Sequence, residues 1–173
     1  MVLHPRRITS LDVAQWKTLR SGFAEIHACA GEAIHCLTHG KEAVSRPNMM
    51  EALFQSLLWF HEGCRDEVDA MAIVKFCSAM EALACGGNEK RILKLAKARL
   101  RIRDEAQFVK DVRSLYRKGR SRTVHGTNDR LGHDWSESRG LAEHLARACL
   151  ISCLELAAEP HDTDDPQVFL QLT

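Results

Sequence analysis

The amino-acid sequence predicts an all-α fold, an up-and-down helical bundle of about five to six helices. Nearly every segment repeats its apolar residues at spacings of three and four, which places them on one side of a helix. Runs of β-branched residues, which are typical of strands, are absent from the sequence. The 173 residues are enough for one core and too few for two, so we predict a single domain over residues 1–158.

The first helix is predicted to begin at Ser10 and to end at Gly40, because Gly often follows the last turn of a helix. Apolar residues recur through this segment at helical spacing. They predict one long packing stripe, formed by Trp16, Leu19, Phe23, Ile26, Ala30, Ala33 and Leu37.

The second helix is predicted to begin with Pro47, and Asn48 followed by Glu51 has the spacing of an N-cap pair. Gly63 is expected to bend or break this helix. The third helix is predicted to extend from about Asp66 to Cys85, with Glu81 late in it and beside its apolar stripe. That stripe consists of Val68, Ala72, Phe76, Ala79 and Leu83.

Two capping residues introduce the next helices. Asn88 is predicted to cap a short basic helix that ends at Leu100, and Asp104 to cap a helix over about residues 105–125. The core side of the second of these helices carries Phe108, Val112 and Leu115.

The last helix is predicted to have Ser136 or Ser138 as its cap and to end before Pro160. Residues 159–173 then form a tail that is first acidic and then apolar. This tail is expected either to be disordered or to dock its apolar residues on a partner. These residues are Val168, Phe169 and Leu170.

Neither a membrane-spanning helix nor a signal peptide is predicted. No stretch approaches the ~20 apolar residues that a spanning helix requires, and the start, MVLHPRRITS, lacks an apolar region. We therefore expect a soluble, cytoplasmic protein with no membrane partner.

The cysteines and histidines do not predict a metal site. The seven cysteines include no C-x-x-C pair. His35 and His39 are one turn apart and could bind one ion, but no third ligand completes their face convincingly. We therefore predict neither a metal nor another cofactor. The cluster around these two residues also contains His27, Cys29 and Cys36.

Positive charge is concentrated in one segment, although the net charge is only +1. Residues 90–122, the basic band, contain 13 Lys and Arg against three acidic residues, a net charge of +10, and the remainder is −9. Such a band is typical of a protein that binds a polyanion such as RNA, although a solvated helix face would look the same. The acidic residues 159–165 are a candidate shield for the band.

One face of the predicted helix over residues 105–125 is cationic. Its members recur at spacings of three, four and three and are Lys110, Arg113, Arg117 and Arg120. Because the Arg side chain can hold two phosphate oxygens at once, this surface is predicted to bind the RNA backbone. The residues predicted for that role are Lys110, Arg113, Arg117 and Arg122.

Arg120 and His125 are the candidate catalytic residues. Metal-free RNA cleavage needs a base for the 2′-hydroxyl, an acid for the 5′-oxygen and positive charge at the phosphate. His125 suits the first two tasks and Arg120 the third, while Ser121 could bind a phosphate oxygen or orient His125. In a regular helix Arg120 is turned about 140° from His125, which favours a site composed of two chains in a homodimer.

These residues stand in a recognisable order. Glu81, in AMEAL, is followed by the basic band and then by YRKGRSRTVHG, which contains Tyr116, Arg120, Ser121 and His125. This order resembles the HEPN superfamily, especially its Apea-like branch, over roughly residues 45–158. In that family an Arg-x4-6-His motif on a helix forms a ribonuclease site.

The resemblance implies a bundle that dimerises with its two motifs facing each other and that often acts as a toxin or in antiviral defence. It implies that Arg120 and His125 are catalytic, that Glu81 lines the site or orients Arg120, and that Tyr116 supports the site. An antitoxin or regulatory protein is a further implied partner. Members paired with a nucleotidyltransferase antitoxin usually have Tyr two residues after the His, where this chain has Thr127.

We therefore predict a metal-independent endoribonuclease that leaves a 2′,3′-cyclic phosphate. Two alternatives remain open. One is a non-catalytic RNA-binding module with the same cationic face. The other is a helical adaptor or regulatory subunit that binds a protein through the stripe from Trp16 to Leu37 or through the apolar tail.

Overall fold

The chain folds as a helical bundle. A computed structural model describes residues 12–127, 133–159 and 163–172. These residues form seven α-helices of ten residues or more and no strand, which confirms the all-α prediction. The helices are α1 (Val13–Gly22), α2 (Ala24–His39), α3 (Pro47–Arg65), α4 (Asp69–Leu83), α5 (Glu89–Arg99), α6 (Glu105–Ser114) and α7 (Ser136–Ala158).

Shorter elements complete the chain. A π-helix (Leu115–Ser121) and a single helical turn (Arg122–Val124) follow α6 directly. Two 3-10 helices cover Lys41–Ala43 and Pro166–Leu170. None of the described helices is both long and apolar enough to cross a membrane.

Helix α4 lies at the centre of the bundle and packs against α3, α5, α7 and the π-helix. Its buried side chains include Ile73, Phe76 and Met80, as expected for a helix with neighbours on several sides. Gly63 does not break α3, which continues to Arg65. A Cβ at Gly63 would lie only 2.8 Å from the Phe76 ring, so this glycine allows α3 and α4 to pack closely.

The predicted first helix is two helices. The backbone leaves the helical conformation at Phe23, where φ is −117° and ψ is 22°. Trp16, Phe23 and Leu37 are exposed, so the predicted stripe is wrong at these positions. Small residues form the buried face of α2 instead, and these are Cys29, Ala33 and Cys36. Ser10, the predicted start, lies outside the described residues.

The tail caps the N-terminus of α3. Asp164 accepts hydrogen bonds from the backbone N–H groups of Asn48 at 2.9 Å and Met49 at 3.1 Å. The side-chain amide of Asn48 donates a third hydrogen bond to this carboxylate at 2.8 Å. The prediction that Asn48 caps the helix is therefore wrong, because a carboxylate distant in sequence satisfies the free N–H groups of the first turn.

Two of the other predicted caps are confirmed. Asn88 accepts a hydrogen bond from the backbone N–H of Lys90, and Asp104 from that of Gln107, each at 3.0 Å. Ser136 is the first residue of α7 rather than its cap, and its N–H donates to Asp134 at 2.9 Å. Pro160, the predicted helix terminator, lies outside the described residues.

The apolar end of the tail belongs to the core of this chain. Phe169 is fully buried and Leu170 is nearly so, in the 3-10 helix that packs on α5 and α3. The Arg99 guanidinium donates a hydrogen bond to the carbonyl of Gln171. The expectation that these side chains dock on a partner is therefore wrong. Because Asp164 is engaged with α3, this part of the tail is also not free to shield the basic band.

Candidate active site

The predicted continuous helix over residues 105–125 is interrupted by the π-helix. Gly119 is buried, and a Cβ at this position would lie 2.8 Å from Cγ2 of Ile73 on α4. The glycine thus allows the π-helix to approach α4 closely. Hydrogen bonds in a π-helix join residues five apart, so each residue turns through a smaller angle than in an α-helix. The π-helix ends at Ser121 and the next three residues are α-helical, so the predicted separation of about 140° between Arg120 and His125 stays a prediction.

Glu81 holds Arg120 and Tyr116 from the facing helix. Its Oε2 accepts a hydrogen bond from Arg120 Nη2 at 3.0 Å, and its Oε1 accepts one from the Tyr116 hydroxyl at 2.8 Å. The guanidinium carbon of Arg120 also lies 5.4 Å from the centroid of the Tyr116 ring. We call these three residues the Glu81 cluster. The resemblance implied that Glu81 lines the site or orients Arg120, and Glu81 does contact Arg120, whereas the hydrogen bond from Tyr116 to Glu81 was not predicted.

The contacts within the Glu81 cluster compensate the charge of a buried carboxylate. Glu81 lies near the C-terminus of α4, where the helix dipole disfavours a carboxylate. Its side chain is only 13% exposed, and the Arg120 cation compensates the buried charge. Burial and the hydrogen bond to Glu81 raise the pKa of Tyr116 to about 12, so its hydroxyl remains a donor at neutral pH.

The Arg120 side chain is mostly buried but remains partly accessible to solvent. Its side chain is 25% exposed, and its Nε is buried with no hydrogen-bond partner in the described part of the chain. A buried N–H donor of this kind is uncommon in folded proteins. Arg120 therefore combines an anchored guanidinium with part of its surface accessible to a ligand.

His125 is exposed, and the backbone around it is well defined. Its N–H donates to the carbonyl of Ser121 at 3.0 Å. The next two N–H groups donate in the pattern of a Schellman motif, Gly126 to Thr123 at 3.2 Å and Thr127 to Arg122 at 3.0 Å. Gly126 has φ +64°, the left-handed conformation that this motif requires. The Ser121 contact is a backbone hydrogen bond, so the predicted roles of its hydroxyl, binding a phosphate oxygen or orienting His125, stay predictions.

A second acidic residue, Glu89, contacts two of the arginines on the predicted cationic face. Glu89, in the first turn of α5, accepts hydrogen bonds from Arg117 Nε at 2.8 Å and Nη2 at 2.7 Å. Arg113 Nε lies 3.9 Å from the same carboxylate. Lys110 and Arg122 are exposed. Sequence reasoning missed Glu89, although an acidic residue at the start of an otherwise basic helix was a visible signal.

The charge of the basic band is therefore partly compensated. Arg117 and Arg120 are paired with Glu89 and Glu81, two acidic residues that lie outside the band. The +10 counted along the sequence overstates the positive charge that this surface offers to a polyanion.

The histidines and cysteines of α2 are not arranged around a common point. The rings of His35 and His39 stack with their centroids 4.1 Å apart, while Cys29 and Cys36 are buried in the core. In the described ranges, no group of three or more His, Cys, Asp or Glu side chains is placed to hold a metal ion.

Comparisons with known proteins return no relative. The chain matches no family model, no curated protein and no solved structure.

Replacement of Gly119 by alanine should destabilise the fold. The added methyl group would overlap Ile73, and we expect a loss of about 1–3 kcal/mol in the free energy of unfolding. Gly140→Ala is the matched control, because a Cβ there meets nothing within 4 Å in helix α7 and should stabilise by about 0.5–1 kcal/mol. Urea unfolding of both variants measures the difference. Equal stability of the two would contradict the close approach of the π-helix to α4.

The Glu89 contact predicts a pH dependence of stability. The hydrogen bonds from Arg117 hold the pKa of the Glu89 carboxyl below its usual value. A lowered pKa stabilises the fold above the unfolded-state pKa of about 4.3, and the contribution is lost as the pH falls through the folded-state pKa. We expect Glu89→Gln to lose less stability than the wild type between pH 7 and pH 3, roughly the range in which such carboxylates titrate.

Chemical denaturation at several pH values tests this expectation. Glu42→Gln is the control, because this substitution removes the same charge from an exposed site away from the arginines. The control should retain the wild-type pH dependence. A Glu89→Gln profile identical to the wild type would show that the Arg117 contact contributes nothing to folding.

Proposed function

We propose that the chain is a metal-independent endoribonuclease with Arg120 and His125 as its catalytic residues. The proposal depends on one observation, which is that a short segment contains both an anchored arginine and an exposed histidine. Arg120 is anchored by Glu81 and Tyr116, and His125 is exposed at a helix end that a Schellman motif defines. A fixed cation and an accessible acid–base group are the two kinds of group that metal-free phosphate transesterification requires.

The proposed reaction needs no group beyond RNA and these side chains. The 2′-hydroxyl oxygen attacks the adjacent phosphorus and gives its proton to an imidazole acting as a base. The bond to the 5′-oxygen breaks, and that oxygen takes a proton from an imidazolium acting as an acid. The products are a 2′,3′-cyclic phosphate and a free 5′-hydroxyl. Arg120 stabilises the additional negative charge on the phosphate oxygens in the transition state.

A homodimer would supply the two imidazoles. One His125 would act as the base and His125 of the partner subunit as the acid, so the active unit would contain two copies of the motif. The resemblance to HEPN proteins supports this arrangement, as well as a role as a toxin or in antiviral defence under an antitoxin or regulatory protein. RNA is the substrate in each of these proposals.

The test is RNA cleavage in excess EDTA. We expect the wild type to produce fragments ending in a 2′,3′-cyclic phosphate, and His125→Ala to be slower by about 100-fold or more. His61→Ala is the matched control, because this exposed histidine on α3 lies outside the site and should not affect the rate. Absence of cleavage by the wild type, or equal rates for wild type and His125→Ala, would refute the proposal.

An adaptor role is the second candidate. Trp16, Phe23 and Leu37 are exposed, as a protein-binding surface would require. An inactive wild type whose binding to a protein partner depends on these three residues would select this function.

A further inference from the structure

A groove lies between the α5–α6 loop, α6 and α7, outside the Glu81 cluster. It has a volume of about 470 Å³, within the range of pockets that bind small ligands. Its floor is apolar and is formed by Leu100, Ile102, Phe108, Leu141, Leu145 and Ala148. Its rim carries Arg101, Arg103 and His144. We call it the α6–α7 groove.

In the part of the chain that the structure describes, Arg101 and Arg103 lack the intramolecular partners that most arginines of the basic band have. Both are exposed and have no hydrogen bond or ion pair within the described ranges. The other arginines of the band already have partners: Arg91 donates to the carbonyl of Ala84, Arg99 to that of Gln171, and Arg117 and Arg120 bind glutamates. The guanidinium groups that remain for an external anion are therefore concentrated at the α6–α7 groove.

The acidic residues of the groove are already hydrogen-bonded. Asp104 caps α6 by accepting from the backbone N–H of Gln107, and Asp111 accepts from the side chain of Gln107 at 2.8 Å. These carboxylates disfavour a second carboxylate beside them, yet they can accept further hydrogen bonds from a neutral donor. A nucleobase carries such N–H donors and is neutral, and its flat face can stack on Phe108.

The groove also continues towards the proposed catalytic segment. The next depression shares Asp111 and Leu141 with it. A third depression then shares Ser114 and Glu137 with the second and reaches Gly119, the residue before Arg120. A strand bound in the groove would thus lie on the same helical segment as the candidate active site.

We propose that the α6–α7 groove binds one unpaired nucleotide of a single-stranded RNA. The base lies against Phe108, and Arg101 and Arg103 bind the flanking phosphates. This inference rests on the proposed function, since it assigns a binding position to the RNA that the endoribonuclease would cleave. It also makes the substrate single-stranded, because a paired base could not enter the groove.

Binding of a 2′-O-methylated, fluorescently labelled oligouridylate to the full chain tests the inference. Such a strand lacks the 2′-hydroxyl nucleophile, so affinity is measured without cleavage. We expect Arg101→Gln/Arg103→Gln to reduce the slope of log K against log salt concentration by about 1.4, as loss of two single-strand phosphate contacts requires. Phe108→Leu should weaken binding about tenfold, and Phe108→Tyr, which keeps a ring, should bind as the wild type does.

Lys90→Gln/Lys94→Gln is the matched control, because it removes two exposed cations of the same band from α5. It should change the affinity less than the arginine variant does. Thermal unfolding would verify that Phe108→Leu remains folded, since Phe108 also packs against the core. A wild-type slope for the arginine variant would overturn the inference, as would wild-type affinity of Phe108→Leu. The inference would also be overturned if the chain bound poly-glutamate through Arg101 and Arg103 but did not bind the oligonucleotide.

This experiment separates the two proposals. Groove-dependent binding of the methylated strand without cleavage of ordinary RNA would refute the endoribonuclease and leave the nucleotide site standing. Cleavage that depends on His125, with binding unaffected by changes in the α6–α7 groove, would refute only the nucleotide site.

Discussion

Phe169→Ala is expected to destabilise the protein by about 3–5 kcal/mol, the usual cost of removing a fully buried Phe side chain. The ring is 0% exposed and lies in the 3-10 helix that packs on α5 and α3. Truncation would leave a cavity among helices that are anchored to one another, so the surrounding side chains could not fill it completely. Most domains of this size have only about 5–15 kcal/mol of stability, so the loss would be large.

Equilibrium denaturation in urea measures this loss. Leu172→Ala is the control from the same tail, because Leu172 is 82% exposed and its truncation should change the stability by less than about 0.5 kcal/mol. If Phe169→Ala were as stable as Leu172→Ala, the tail would not be part of the core.

Glu81→Ala is expected to cost about 3 kcal/mol, the lower end of the range for breaking a buried ion pair. The variant leaves the Arg120 charge without its carboxylate and the Tyr116 hydroxyl without its acceptor. The value lies at the lower end because Arg120 is 25% exposed and water can replace part of the interaction. The same substitution should reduce RNA cleavage more than it reduces RNA binding, since it frees the guanidinium from its fixed position.

The matched control for Glu81 is Glu143→Ala. Glu143 pairs with Arg147 one turn along α7, where the arginine side chain is 54% exposed, and such pairs contribute only about 0.5 kcal/mol. A double variant, Glu81→Ala/Arg120→Ala, should be more stable than the sum of the two single losses predicts. Additive losses would indicate that the two side chains do not stabilise each other.

The cation–carboxylate contacts show why the site could be predicted only in part. Tyr116, Arg120, Ser121 and His125 lie within one short segment, so their order and types were visible in the sequence. The role of Glu81 in orienting Arg120 was implied only by the family resemblance, and Glu89 was not predicted as the partner of Arg117. Arg120 and Glu81 are 39 residues apart and Arg117 and Glu89 are 28 apart, and no local spacing indicates which acidic residue faces which arginine. The π-helix was not predicted, because the close packing of Gly119 against Ile73 is a contact between residues distant in sequence.

By itself, the sequence determined the all-α class and the positions of the helices near Asn88 and Asp104. These features depend on interactions between residues a few positions apart, such as a side chain that caps the next turn. Tertiary structure alone decided that Asp164 caps a helix beginning 117 positions earlier, at Pro47, that Phe169 completes the core, and that Glu89 binds Arg117. The reason is physical: burial and the pairing of charges across helices depend on how the elements pack, which periodicity along one helix does not specify.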